Sequence, residues 1–348
     1  MFKVGILGFA HGHVMAYAPQ WTAHPEYGVE LVGGWDHDSQ RAKDSCEKLG
    51  IPAYENRDEL IAACDGVVVS SETAYHAELT VAAANAKKDV VCYKPMAMNM
   101  QQADEMVEAV KKNGVRFSMG WQMRTDPQNL KIKELMDTGA LGRIYQFRRR
   151  HALSTHLSPD FKDLWHNDPV LNRDIFADDA SHPINLMQFL FGMPEEVSCS
   201  MTTAHTQDVP NDNAICVFTY PNGLLVDISC CFSCSAAEIT TEVYGEKGAV
   251  QQYYGDNPAC RLAHGTEGLK WYLEGDEGWT ISDIPSPKGH GERLAWQGKP
   301  MADFFTRKSE GVCSVEEGRD SLRLILACYL SQREGQRVKP SDPRVYEF

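Results

Sequence analysis

Nowhere does this chain hold a run of ~18 uncharged apolar residues, the length a helix needs to cross a bilayer, so no membrane span is expected. Positive charge is also scarce. Lys and Arg number 34 against 48 Asp and Glu, a net charge of −14. A nucleic-acid binder needs a basic face, so that class is set aside. The one basic run, Arg148-Arg149-Arg150, lies in a strand-like segment whose side chains alternate between faces and reads as a solvated or interface strand. Cysteine is not scarce, with 11, but it is not arranged for a metal. Cys231-Phe232-Ser233-Cys234 has no second CxxC and no histidine pair at zinc spacing to go with it. The expectation is no metal and small, reduced core thiols. Internal repeats and low-complexity linkers are missing too. The opening segment, with Lys3, Gly5 and Gly8, reads as a first strand and not a secretion signal. A cytoplasmic address follows as the expectation.

What is present is alternation. At 348 residues the chain has room for about two domains. Strand and helix patterns alternate through the first third. Helices are expected over 39–49, 58–63, 75–86 and 100–113, with near-continuous apolar strands at 65–70, 89–93 and 115–120. That grammar calls for right-handed crossovers and one parallel sheet covered on both faces. After about Met123 it changes. A helix over 129–138 is followed by strand-like segments at 144–151, 196–204, 214–220, 224–234, 238–245 and 249–254. Pro221-Asn222-Gly223 is a hairpin turn, because Asn-Gly accepts positive φ. Residues 256–298 read as long loops over short strands, and a helix returns over 316–333. The fold class is α/β: a Rossmann domain over 1–123, then an α+β domain over 124–348 with a large, mainly antiparallel open sheet.

The first strand runs straight into a turn, Gly8-Phe9-Ala10-His11-Gly12-His13, and then a helix. Strand, tight turn and helix present backbone N–H groups to a pyrophosphate. Asp36, closing the next strand, stands where a carboxylate holds a ribose hydroxyl. Ala10 and His13 occupy the second and third glycine positions of the usual G-x-G-x-x-G. Ala10 adds one methyl group, whereas His13 forces a local change that Gly12 relieves one residue early. Asp36 favours NAD over NADP, since a carboxylate repels a 2′-phosphate. His37 softens that preference, and no arginine follows immediately.

Two constellations carry chemistry. Tyr93-Lys94-Pro95 ends a parallel strand, at the sheet edge where ligands of open α/β folds collect. A lysine there serves as base or as charged anchor; a surface lysine is the blander reading. Asp178, His182 and Asn185 recur at helical spacing and share a face. A histidine oriented by a carboxylate is a natural general base. The plainer alternative is a helix start capped by Asp178 or Asp179, with His182 packed. Pro183 fits only the first turn, so the helix is expected to begin near His182. His151, His156, Trp165, His166 and Asn172 fall in a loop-like stretch, some of them expected along a substrate site.

With these residues in view the chain resembles the glucose–fructose oxidoreductase / inositol dehydrogenase / MocA family over nearly its whole length. The resemblance rests on the VGILG opening, Asp36 followed by Arg41-Ala42, Lys94-Pro95, and the Asp178…His182…Asn185 segment leading into Leu190-Phe191-Gly192. Residues 242–248 and the closing stretch 331–338 fit as well. It implies hydride transfer between nicotinamide and a secondary alcohol of a sugar, polyol or inositol. It places the catalytic lysine at Lys94, the acid at Asp178 and the histidine at His182. Ser70, Ser71 and His76 fall in the cofactor loop, joining Gly8 to His13, Asp36, His37 and Lys94 as cofactor residues. Lys94, His151, Trp165, His166, Asp178, Asp179 and His182 are the expected substrate residues. It also implies a homodimer or homotetramer built through the C-terminal sheet. The chain departs from the family pattern at Tyr93 and Asn185, usually acidic, and at Glu72, usually proline. An NAD-dependent glycosidase or lyase that oxidises its sugar transiently, and a non-catalytic dinucleotide sensor, are the alternatives.

Overall fold

The computed structural model describes residues 1–253 and 268–348, and the chain folds as two compact units. The first comprises Met1–Thr125, Pro169–Asn172 and Gly291–Leu322; the second comprises Asp126–Asp168, Arg173–His290 and Arg323–Phe348. The expected single cut at 123/124 is therefore corrected, because a late segment rejoins the first unit.

In the first unit five strands are all parallel: β1 (Phe2–Leu7), β2 (Val29–Trp35), β3 (Gly66–Val69), β4 (Asp89–Cys92) and β5 (Phe117–Met119), in the order β2-β1-β3-β4-β5. The short strands β3 and β4 are buried along their whole length, as their unbroken apolar runs require. The connecting helices are α1 (His13–Ala23), α2 (Ser39–Leu49), α3 (Arg57–Ala63), α4 (His76–Asn85) and α5 (Met100–Asn113). Helix α2 starts where the Asp38 side chain accepts the N–H groups of Gln40 and Arg41, and stops at Gly50, whose φ of 67° suits glycine.

The second unit opens with α6 (Pro127–Asp137) and β6 (Ile144–Ala152), and α7 (Ser181–Phe191) precedes a run of strands. These are β7 (Glu196–Thr202), β8 (Asn213–Thr219), β9 (Leu225–Cys231), β10 (Ile239–Gly245), β11 (Gly248–Tyr253), β12 (Leu269–Leu273) and β13 (Thr280–Ile281). The eight-stranded sheet has the order β13-β12-β11-β10-β6-β9-β8-β7, and only the β6–β9 pair is parallel. Burial alternates along β7, β8 and β9, leaving one face covered and one open. The arginine run obeys this alternation. Arg149 is buried on Thr241, while Arg148 pairs outward with Asp227 and Glu242, and Arg150 with Glu238.

Residues 256–298 are only partly loop over short strands. Strands β12 and β13 fit, but α8 (His290–Ala295) and α9 (Gly298–Phe305) are helical, and 254–267 lie outside the described residues. Helix α9 lies almost wholly beyond the 256–298 stretch, where no element was expected. Its apolar face buries Met301, Ala302, Phe304 and Phe305 against Tyr17 and Trp21 in the first unit's core. The Trp21 indole also donates to the Gly298 carbonyl at 2.7 Å. The last helix, α10 (Val315–Glu334), spans the change from first to second unit. Among the described residues no helix is long and apolar enough to cross a membrane. The ten described cysteines are free, eight of them buried.

Candidate active-site residues in the two units

The turn after β1 is built around Gly8. Its φ is +88°, and a Cβ there would lie 2.5 Å from the Ser71 Cα, so only glycine fits. Ser70 ties the same turn down: its N–H donates to Leu7, its hydroxyl donates to the His11 carbonyl, and it accepts the His11 N–H. Gly12 does not relieve strain as the sequence suggested. It caps α1 with φ −61°, is exposed, and a Cβ added there would meet nothing within 4 Å, so its lack of a side chain leaves room beside the helix start. The bulk of His13 is met instead by ring packing: His11 and His13 meet edge to face at 4.3 Å, and both lie on Tyr93.

Asp36 is buried, and its carboxylate is crowded with donors. Oδ2 accepts the Phe9 N–H at 2.7 Å and Arg41 Nε at 2.8 Å, while Oδ1 accepts the Asp38 N–H at 2.9 Å and Arg41 Nη2 at 2.7 Å. Arg41 Nη1 lies 2.9 Å from Glu72, itself buried at the end of β3. Burial works against the Arg41 charge, but the two carboxylates more than restore it and hold its pKa above the usual value. His37 sits between the same acids, 3.4 Å from Asp36 and 3.6 Å from Glu72, with its ring on Tyr75. No arginine follows Asp36 immediately, but Arg41, already part of the resemblance, reaches back from the first turn of α2 to the strand end. Its five-residue offset from Asp36 was the available signal.

Lys94 is buried directly after β4, and the Lys94–Pro95 peptide is cis. His76 braces this segment. Its ring is wholly buried, with Nδ1 2.8 Å from the Pro95 carbonyl oxygen and Nε2 3.1 Å from that of Ser71. Burial lowers its pKa, so the neutral ring donates to one of the two. His76 thus joins the lysine segment to the cofactor loop by backbone contacts. Asn172 also belongs to this unit: the Thr73 hydroxyl donates to its side-chain oxygen at 2.5 Å.

In the second unit the chain makes short 3-10 turns at Thr155–Leu157, Phe161–Asp163 and Trp165–Asn167. It then makes a π-turn at Phe176–Ala180 that runs into α7. Pro183 falls in the first turn of α7, as expected. The capping alternative for Asp178 and Asp179 does not hold, because neither helix start has a side-chain cap from them. Asp174 instead accepts the Ala177 N–H, and also bonds Tyr329 and Asn211. Asp178 is turned to His166: Nδ1 of that ring donates to its Oδ2 at 2.6 Å. His166 is thus a partner of Asp178 that the helical spacing, which pointed to His182, does not include.

Around this pair the rings form a layer. Trp165 stacks on His166 at 3.9 Å, Phe161 lies 6.0 Å beyond, and His156 stacks on Phe161 at 4.2 Å. His182 and His151 are both buried, with ring centroids 6.3 Å apart. Asp179 lies 4.0 Å from His156. Desolvation pushes the His156 pKa down to about 4. Asp212 was not anticipated. It is fully buried and accepts the N–H groups of Ala204 and His205 and the Ser233 hydroxyl.

A parallel sheet that collects a glycine turn, an acid and a buried lysine at the carboxyl ends of its strands is a nicotinamide-dinucleotide unit of an oxidoreductase. The comparisons agree. Residues 2–121 match the oxidoreductase family with an NAD-binding Rossmann fold, and residues 129–251 match the GFO/IDH/MocA C-terminal domain. Glucose-6-phosphate 3-dehydrogenase of Bacillus subtilis is 28% identical over 278 residues, covering 76% of this chain and 78% of its own. Myo-inositol 2-dehydrogenase of Thermotoga maritima is 30% identical over 220 residues, 60% of this chain and 64% of its own. The fold is shared with levoglucosan dehydrogenase solved with NADH and levoglucosan, at a TM-score of 0.84 and 19% identity over 98% of this chain and all (100%) of that one. The chain belongs to the GFO/IDH/MocA family and is an NAD-dependent dehydrogenase acting on CH–OH groups.

Proposed function

We propose that this dehydrogenase oxidises a secondary alcohol of a sugar, inositol or related polyol, with proton handling shared by Lys94, His182 and the Asp178–His166 pair. The observation that carries the assignment is the buried Asp178 carboxylate hydrogen-bonded to His166 within a layer of imidazole and indole rings. Trp165 offers an apolar face to a sugar ring, and the polar rings beside it offer hydrogen bonds to hydroxyls.

The residues of the first unit fit NAD. Gly8 keeps the turn clear of a side chain, Gly12 leaves open space at the start of α1, and the acids after β2 and β3 oppose a 2′-phosphate. The turn from Gly8 to His13, with Ser70 and Ser71, would hold it, and Asp36 anchors that turn through the Phe9 N–H. When bound, the nicotinamide supplies a hydride acceptor for the carbinol carbon. His182 takes the proton of the substrate hydroxyl, and the Lys94 ammonium steadies the alkoxide that develops. Asp178 orients the His166 ring, which would meet a second hydroxyl of the substrate. General-base help of this kind is worth roughly 10²–10⁴-fold.

Self-association through the open sheet face belongs to the same reading. Ile215, Leu225 and Tyr244 are exposed apolar side chains on β8, β9 and β10, beside the Arg148–Asp227–Glu242 ion pairs. A cytoplasmic address suits a chain whose described thiols are free. The deciding experiment is a panel of sugars, inositols and glycosides scored for NADH release. NADH release with at least one free sugar or polyol supports the assignment. Cleavage of a glycoside with no NADH build-up would replace it with the transient-oxidation alternative. NADH binding without turnover across the panel would replace it with a sensor.

A further inference from the structure

Asp36 is the residue expected to meet the adenosine ribose, yet its capacity is taken. An ionised carboxylate offers about four acceptor positions. In Asp36 two backbone N–H groups and two Arg41 nitrogens fill that number. Glu72 is different. Only one of its oxygens is engaged: Oε1 lies 2.9 Å from Arg41 Nη1 and 3.6 Å from His37 Nε2. Oε2 is buried and has no hydrogen-bond partner among the described residues. An ionised oxygen held out of water without a donor is unfavourable, which makes it a ready acceptor for a hydroxyl delivered by a ligand.

Glu72 also controls a cation. A 2′-phosphate is accommodated in this kind of fold by a nearby arginine. Arg41 is that arginine by position, but it is clamped between Asp36 and Glu72. Neutralising Glu72 loosens one jaw of the clamp and removes a negative charge from the site.

We propose that Glu72 is a determinant of cofactor choice in this chain: its free oxygen accepts an adenosine-ribose hydroxyl, and its charge keeps Arg41 from serving a 2′-phosphate. The proposal rests on NAD as the cofactor, and its test separates the two. Nicotinamide fluorescence titrations would give the affinities of the full-length protein for NADH and NADPH. Wild type should prefer NADH. Glu72→Gln keeps the shape and loses the charge, and it should narrow the NADH-to-NADPH affinity ratio by about tenfold or more, the scale of a charged hydrogen bond. Glu72→Pro is a second probe, compatible with the φ of −63° at this position, and should narrow the ratio as well. An equal loss of affinity for both cofactors would mark Glu72 as merely structural and overturn the proposal. So would an unchanged ratio in Glu72→Gln, or a wild type that binds NADPH as tightly as NADH. A wild type that binds neither would strike at NAD itself and take this proposal with it.

Discussion

The two units solve the placing of polar groups in opposite ways. In the first, strand ends and backbone do the work. Asp36, Ser70, Ser71, Glu72 and Lys94 all lie within three residues of the ends of β2, β3 or β4, and their neighbours are fixed by main-chain bonds such as His11 N–H to Ser70 and Gly8 N–H to Trp35. In the second, the candidate residues sit on successive 3-10 turns and one π-turn, and side chains hold one another: Asp178 to His166, His166 to Trp165, His156 to Phe161. A backbone-built site tolerates side-chain change around it. A site built of side chains is only as rigid as its packing.

The largest expected effect tests whether the backbone-built unit holds a single indispensable side chain. Lys94→Ala should lower kcat by about 10²–10⁴-fold, while NADH affinity, measured by fluorescence titration, changes little. A variant that keeps wild-type turnover would remove Lys94 from the chemistry. Next is the pair in the second unit. Asp178→Asn exchanges the acceptor that orients the His166 ring for an amide, and His166→Asn removes the ring. If the pair acts as one device, the double variant should lose no more than the worse single one, since groups acting as a unit are far from additive. We expect each to cost about 10²-fold in kcat/KM. Full additivity would show that they act separately.

The contrast also decides what was legible in the sequence. The parallel sheet could be read because β3 and β4 are unbroken apolar runs between glycines and helices. The fingerprint could be read because Gly8 has a positive φ that constrains residue type. The partner of Asp178 could not. The His166–Asp178 bond joins residues on two separate short turns, and no sequence period announces that pairing. The places of helix α9 and Asn172 in the first unit were missed for a related reason: both lie far along the chain, and sequence distance carries no sign of that return.

A smaller effect probes the backbone side of the contrast. Gly8→Ala puts a methyl group against the Ser71 backbone at a φ of +88°. The strain should cost on the order of 1–3 kcal/mol, read as a lower denaturant midpoint, and it should weaken NADH binding by misplacing the turn. An alanine variant with unaltered midpoint and affinity would mean that the turn is softer than its contacts imply.

A further effect concerns acid stability, and it falls on the side-chain-built unit. Burial holds the His156 pKa down at about 4; Asp212 and Asp178 pull it up, His166 and His205 push it down, and Asp179 lies 4.0 Å away. In the unfolded chain the same ring titrates near its ordinary value of about 6.5. Between those two values the unfolded state carries the extra proton, so stability rises with pH there. The contribution is complete above about 6.5 and is lost as pH falls toward about 4. Denaturant melts across that window should show a shallower acid loss in His156→Gln than in wild type. Parallel slopes would mean that His156 is protonated in the folded protein. The ring layer would then have to accommodate a cation beside Asp179, which makes it a wetter and looser assembly than its stacking distances suggest.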